Sequence, residues 1–284
     1  MRTPFRLTAL ALVILAVAPG VAVPPVDSQE DTLAEIKKRG VVNIYVEAQY
    51  RPYEFRDASG EIVGLDIDLA RKIFEEGLGL KTTFTDLDFS GLLASLLTKK
   101  CDFIISGITI TQERIKRFDF SIPYSEASAA ILLRADETRF QGADDLSGRV
   151  VGTQIGSASQ KTAEAFEAQL KARGKPGYTE LKTYERYPTA YQDLLSKRLD
   201  AIVQGGPPLK VLIKERPNLF KILGAIGPKA YYGAVVRKGD TALLEFVNGQ
   251  LRKYKQDGSL KALQEKWLGQ SDVHLLPDPW TPLS

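Results

Sequence analysis

LLTKKCDFIISG (residues 96–107) and LLSKRLDAIVQG (residues 194–205) align without a gap over twelve positions. Each carries paired leucines at the end of an amphipathic helix, a basic turn, an aspartate (Asp102, Asp200), a short apolar run and a glycine (Gly107, Gly205). A helix feeding a short buried strand is the repeating unit of an open parallel α/β sheet. Two copies indicate two units of like architecture. The flanking sequence agrees. VVNIYVE (41–47) reads as a strand, and GLDIDLARKIFEEGLG (64–79) as a helix with Leu65, Leu69, Ile73 and Phe74 on one side and Gly77 as its stop. Around the second copy, GRVVGTQIG (148–156) reads as a strand with a glycine turn, SQKTAEAFEAQLKARG (159–174) as a helix and YTELKTY (178–184) as a strand. The chain passes to the second unit through ILLRADETRFQGADDLSG (131–148) and returns through YYGAVVRKGD (231–240) to helices over 241–256 and 259–268. Two lobes joined by two crossings leave a cleft, and ligands of open α/β sheets sit beyond the carboxyl ends of the strands. Gly107 and Gly205 fall there.

The 284 residues suit two packed units or one large α/β domain. Hydrophobic residues make up 44% of the chain and charged residues 26%, enough apolar material for a core and too little net charge for disorder. Lysine plus arginine number 38 and aspartate plus glutamate 35, a balance that argues against an electrostatic nucleic-acid binder. One histidine, one cysteine and one methionine exclude thiol-rich metal sites and disulfide scaffolds, and leave little for histidine-based catalysis. No cofactor or metal is expected. His274 lies in the proline-bearing tail VHLLPDPWTPLS. Cys101 opens an apolar strand and reads as a buried packing residue rather than a reactive thiol.

Arg2 and Arg6 precede an apolar run from Leu7 to Ala18, followed by Pro19 and Gly20. That is the layout of a secretory signal peptide, and the run is shorter than the ~20 residues a membrane span requires. Residues 1–22 are read as a cleaved leader, with cleavage after Gly20 or Ala22. Neither position is followed by a cysteine, so a lipid anchor is not expected. Removing Arg2 and Arg6 leaves a nearly neutral protein in a periplasmic or other extracytoplasmic compartment.

Several residues near the cleft carry binding chemistry. After Gly107, the segment GITITQER supplies hydroxyls at Thr109 and Thr111, with Thr111 placed to cap a short helix carrying Arg114. A guanidinium there suits a carboxylate, because it forks onto both oxygens. Local sequence alone leaves Arg114 open between a ligand clamp and a solvated helix residue. Phe89, ahead of the first repeat helix, reads as a stacking platform or as core. Glu47 and Tyr50 follow the first strand at its carboxyl end, where a carboxylate suits a ligand ammonium or simply faces solvent. In the second lobe, GTQIGSASQ resembles a strand, turn and helix start whose free amides favour anions. The glycine spacing matches neither a phosphate loop nor the dinucleotide fingerprint.

GLDIDLARKIF, DFSGLLASLLTKKCDFIISGITITQERIKRFDFSIPY, VVGTQIGS and YGAVVRKGD together resemble the family 3 solute-binding proteins of ABC transporters, the polar amino-acid type. The resemblance runs in order from about residue 35 to 270. It implies an α/β, two-lobed periplasmic binding protein-like fold with open, mostly parallel sheets and flanking helices. Lobe one would take residues 30–133 plus 235–284, and lobe two residues 134–234. The implied activity is capture of an amino acid or related small carboxylate by hinge closure, in monomeric form, and delivery to a membrane permease. Carried over by position, Arg114 would clamp the ligand carboxylate, Gly107 and Thr109 would add backbone or hydroxyl bonds, and Phe89 would stack on the ligand. Tyr50 would cover it, Glu47 would face a polar or cationic side chain, and Ser157 would close from lobe two.

Two positions depart from the pattern. Members that bind α-amino acids usually hold an aspartate for the ligand ammonium shortly after the second repeat strand. Here DAIVQGGPP puts Gly205 at that position, and Ala158 stands where a threonine is usual. A buried ammonium without a carboxylate partner costs several kcal/mol. The scaffold also resembles exported cyclohexadienyl dehydratases, so a general acid in the cleft would allow an enzyme; Gly205 removes one candidate. A ligand-sensing partner for a membrane receptor is the third reading of the same cleft.

Overall fold

The computed structural model describes residues 31–278; the leader read at residues 1–22 and the last six residues lie outside that range. Two five-stranded sheets form the framework. In the first, the order is Lys81–Asp86, Val41–Val46, Phe103–Ile104, Val235–Arg237, Phe118–Phe120. In the second it is Glu180–Tyr184, Val150–Gln154, Ala201–Gly205, Ala129–Arg134, Phe220–Ala225. The first three strands of each sheet run parallel, and the fourth is antiparallel to its neighbours. In each sheet that antiparallel strand is the first one the chain forms after crossing from the other sheet.

The sequence echo is reproduced in backbone detail. Helices Phe89–Leu97 and Tyr187–Leu195 end in turns at Lys99 and Lys197, the non-glycine residues with left-handed φ (58° and 64°) among those described. Asp102 then accepts the Asn43 amide at 2.8 Å, and Asp200 accepts the Val150 amide at 3.0 Å. Each aspartate thereby pins the start of the neighbouring parallel strand, with Arg39 and Arg139 respectively on its other side. Leu96 and Leu194, the echoed leucines, are fully buried.

The structure departs from the sequence expectations at two points. The helix read over 64–79 opens as Leu65–Arg71 and continues through a wider π turn, Lys72–Glu76. Gly77 remains helical (φ −78°), and the stop falls at Gly79 (φ 68°), whose amide bonds Glu75 O. Strand Ala129–Arg134 pairs with Ala201–Gly205 in the second sheet, so the first crossing precedes the 133/134 boundary. Its wholly buried run AAILLR needs cover on both faces, which the second lobe supplies. The crossings themselves pair: Tyr231–Tyr232 runs antiparallel to Ser125–Glu126. Helices Thr241–Gln256 and Ser259–Leu268 close the chain.

Because both echoed leucines are fully buried, Leu96→Ala and Leu194→Ala are each expected to lower stability by about 2–5 kcal/mol. Urea denaturation of the two variants checks this.

Candidate functional site

The lobes are closed upon each other. Register relates the two halves position by position: Ile44 pairs with Phe103 as Val151 pairs with Ala201. By the same register Glu47 corresponds to Gln154, Asp88 to Arg186, and Phe89 to Tyr187. Equivalent positions meet across the gap. Gln154 Nε2 donates to Glu47 Oε2 at 2.8 Å. Arg186 Nε donates to Asp88 at 2.7 Å, and its Nη1 to Asp86 at 3.0 Å. Arg51 forks onto Glu215 at 2.8–3.1 Å, and Ser90 bonds Glu185 at 3.0 Å. Between the lobes lies a cavity of ≈ 10 Å³, room for about one water, lined by Tyr50, Phe89, Thr109, Gln154, Tyr187 and Tyr232 among others. Larger hollows flank it, one of ≈ 190 Å³ between Tyr50 and Tyr191 and one of ≈ 420 Å³ between Thr109 and Ser159.

Arg114 stands at the junction. Thr111 caps its short helix, Gln112–Ile115, accepting the Arg114 amide at 3.2 Å as expected. The guanidinium donates to Thr109 O at 2.8 Å and, across the gap, to Gly156 O at 3.0 Å. It lies 5.7 Å from the centre of the Phe89 ring, which positions it by cation–π attraction. Burial lowers its pKa to about 10, which leaves it charged at neutral pH. With both nitrogens resting on carbonyl oxygens, a carboxylate entering the cleft would exchange neutral acceptors for a charged one.

From lobe two, helix Ala158–Ala172 points its N-terminus at the same place, and Ala158 and Ser159 line the cavity. The Ser157 hydroxyl caps this helix, accepting the Gln160 amide at 3.1 Å and donating to Gln154 O at 2.7 Å. It is committed to the helix, so the anion-facing groups of lobe two are the first-turn amides. Gly107 is committed likewise: its amide donates to Asp66 Oδ2 at 2.8 Å.

Glu47 is 1% exposed rather than facing solvent at a strand end. Its Oε1 has no partner within the protein. Burial pushes its pKa up to about 8, against the opposing effects of the Gln154 hydrogen bond and Arg186. Behind it, the Glu47 amide bonds Ser106 Oγ, which donates to Glu54, and Glu54 lies against Asp66. Burial, then the neighbouring Asp66 charge, raises the Glu54 pKa; burial raises that of Asp66. Cys101 is buried beside Ser95, its thiol pushed up to about 11 by burial, consistent with a packing role.

The site contains residues that local sequence did not single out. Tyr187 becomes visible once the echo is extended seven positions upstream, where it matches Phe89. Tyr232 has no such signal. It reaches the cleft because the return crossing pairs with the segment after Gly107, bridging Thr109 to Tyr232. Tyr50 and Tyr232 join hydroxyls at 2.8 Å, and rings Tyr53, Tyr50, Tyr187, Tyr191 and Phe220 follow one another at 5.9–6.2 Å from lobe one into lobe two.

The model of the bacterial extracellular solute-binding proteins, family 3, matches residues 42–270. The chain belongs to that family. The L-cystine-binding protein TcyJ of Escherichia coli K12 is 31% identical over 243 residues, 85% of this chain and 88% of that one. The arginine-binding protein 1 of an ABC transporter in the same organism is 31% identical over 233 residues, 81% and 91% of the two chains. Among solved structures, an arginine-binding protein from T. maritima superposes with a TM-score of 0.74 at 36% identity, covering 84% of this chain and all of that one. An ancestral amino acid-binding protein, a precursor of cyclohexadienyl dehydratase, superposes with a TM-score of 0.76 at 34% identity, covering 84% and 99%. The fold is therefore that of the two-lobed solute-binding proteins.

The buried acids make a pH prediction. In the folded protein Glu47 holds its proton to about pH 8, whereas in the unfolded chain it ionises near 4.5. Its contribution to stability is therefore complete below about 4.5 and is lost as pH rises through 8. Glu47→Gln, which cannot ionise, should flatten the decline in urea midpoint between about pH 5 and pH 8; an unchanged slope would place the titration elsewhere.

Proposed function

We propose that this protein captures a small, amino-acid-like carboxylate outside the cytoplasm and presents it, lobes closed, to an ABC permease. The carrying observation is Arg114, a charged guanidinium at the lobe junction that holds Thr109 O from one lobe and Gly156 O from the other. A carboxylate bound between Arg114 and the N-terminal amides of helix Ala158–Ala172 touches both lobes at once. Its binding energy then favours the closed form over the open one, which is what hinge closure requires. Phe89, Tyr50 and Tyr187 supply ring surface to the rest of the ligand, and Glu47, protonated at neutral pH and with Oε1 unpartnered, offers a hydrogen-bonding group to a polar end. The relatives named for cystine and arginine binding support a solute of this class. Residues 1–22 act in this reading as the cleaved export leader, and a single chain suffices for capture.

The reading is non-catalytic. The relatives matched over most of the chain are named as binding proteins, which supports this reading. The kinship with a dehydratase precursor makes this worth testing directly.

Titration calorimetry against the L-amino acids and their carboxylate analogues is expected to find a ligand whose affinity falls about 100-fold or more in Arg114→Ala. Unchanged affinity would sink the clamp. Mass spectrometry of the recovered ligand should show it chemically unaltered after prolonged incubation.

A further inference from the structure

The two echoed glycines are needed for different reasons. Gly107 has φ 51°, a left-handed conformation. Gly205 has φ −53°, open to any residue, yet a Cβ there would lie 2.3 Å from the Tyr232 hydroxyl and 2.9 Å from that of Tyr50. The space a side chain at 205 would occupy is therefore filled by two phenols. Tyr50 spans both glycines, since its ring also lies 2.8 Å from where a Cβ on Gly107 would sit.

Tyr232 is not free to leave this position. Its backbone pairs with Ser125 and bridges to Thr109, and its fully buried ring packs edge-on to Tyr53 at 5.1 Å and to Tyr50 at 6.4 Å. Burial raises both hydroxyls well above the ordinary tyrosine pKa, so the pair is neutral at any physiological pH. One phenol donates to the other, which leaves a single hydrogen and the remaining lone pairs for a ligand. Glu47 is engaged elsewhere, on Gln154. The atoms nearest Gly205 are those of the tyrosines.

We propose that the subsite facing Gly205 accepts an uncharged group, so that the ligand is a carboxylate without a free α-ammonium: a 2-hydroxy acid, an N-acylated or a deamino acid, with Tyr232 as the residue that sets this selectivity. The inference rests on the carboxylate reading above and narrows its substrate class. A hydroxyl or an amide N–H matches the one donor and the lone pairs that the phenol pair offers, and gives up little hydration on entry. An ammonium carries three donors and a full charge, and would be buried against neutral oxygens.

The test is calorimetry with matched sets: L-arginine, L-glutamine and L-phenylalanine, each beside its 2-hydroxy, N-acetyl and deamino counterparts. In at least one set an uncharged analogue should bind about tenfold or more tightly than the amino acid. Tyr232→Phe should weaken the 2-hydroxy and N-acetyl forms selectively, whereas Arg114→Ala should weaken every member alike. Gly205→Asp combined with Tyr232→Ala should reverse the preference toward the free amino acid. If the wild-type protein favours the amino acid about tenfold in every set it binds, including through cation–π contact with the rings, the proposal is overturned while the carboxylate clamp stands. If no carboxylate in the panel binds, the clamp reading fails, and this proposal with it.

Discussion

Tyr231 and Tyr232 run antiparallel to Ser125 and Glu126 where the chain passes twice between the sheets, and the rest of the cleft is arranged around that pairing. It brings the two crossings together as one ribbon, so that the carboxyl ends of both sets of parallel strands face the same gap. The ribbon continues into the loop after Gly107: Ile110 N–H bonds Tyr231 O, and Gly233 N–H bonds Ile108 O. The segment that carries Thr109 and Arg114 is thus tied to the paired crossings that join the lobes. The guanidinium itself bonds a carbonyl of each lobe, so their relative position is registered there.

Across the gap the two lobes meet at equivalent positions that differ in charge or polarity. Asp88 faces Arg186, and Glu47 faces Gln154. Had the halves remained identical, each of these pairs would set like against like. Divergence after a common architecture is what turns a pseudo-symmetric surface into a self-complementary one. The ion pairs at the rim sit partly in solvent, where each contributes about 0–1 kcal/mol. At that magnitude they orient the two lobes without locking them together.

The interior of lobe one takes on a different cost. Glu47, Glu54 and Asp66 are all buried, linked through Ser106 and the Gly107 amide. No arginine or lysine bonds to any of the three carboxylates among the described residues. Burial eases the conflict by keeping protons on Glu47 and Glu54, while Asp66, raised only to about 6, takes the hydrogen bonds of the Gly107 amide and the Tyr124 hydroxyl. These bonds tie the end of strand Val41–Val46 to Ser106 and Gly107, which lead into the loop carrying Thr109 and Arg114.

Much of the fold was legible in the sequence because its determinants are local. The echoed helix, turn and strand, the Thr111 cap and the amphipathic helices 241–256 and 259–268 depend on neighbours within a few positions. Gly77 was misread as a helix stop because a glycine signals permission for a left-handed turn, and Gly79, two residues on, had the same permission and used it. The cleft divided along the same line. Arg114, Phe89 and Tyr50 were marked by chemistry and position on the chain, whereas the burial of Glu47 followed from a lobe more than a hundred residues away. The sequence by itself determined that two like α/β units face a cleft bearing a guanidinium, since repeat, period and charge are written in order along the chain. Only the tertiary structure decided what stands at Gly205. Tyr232 arrives there through the pairing of two crossings about a hundred residues apart, and sequence spacing carries no record of that contact.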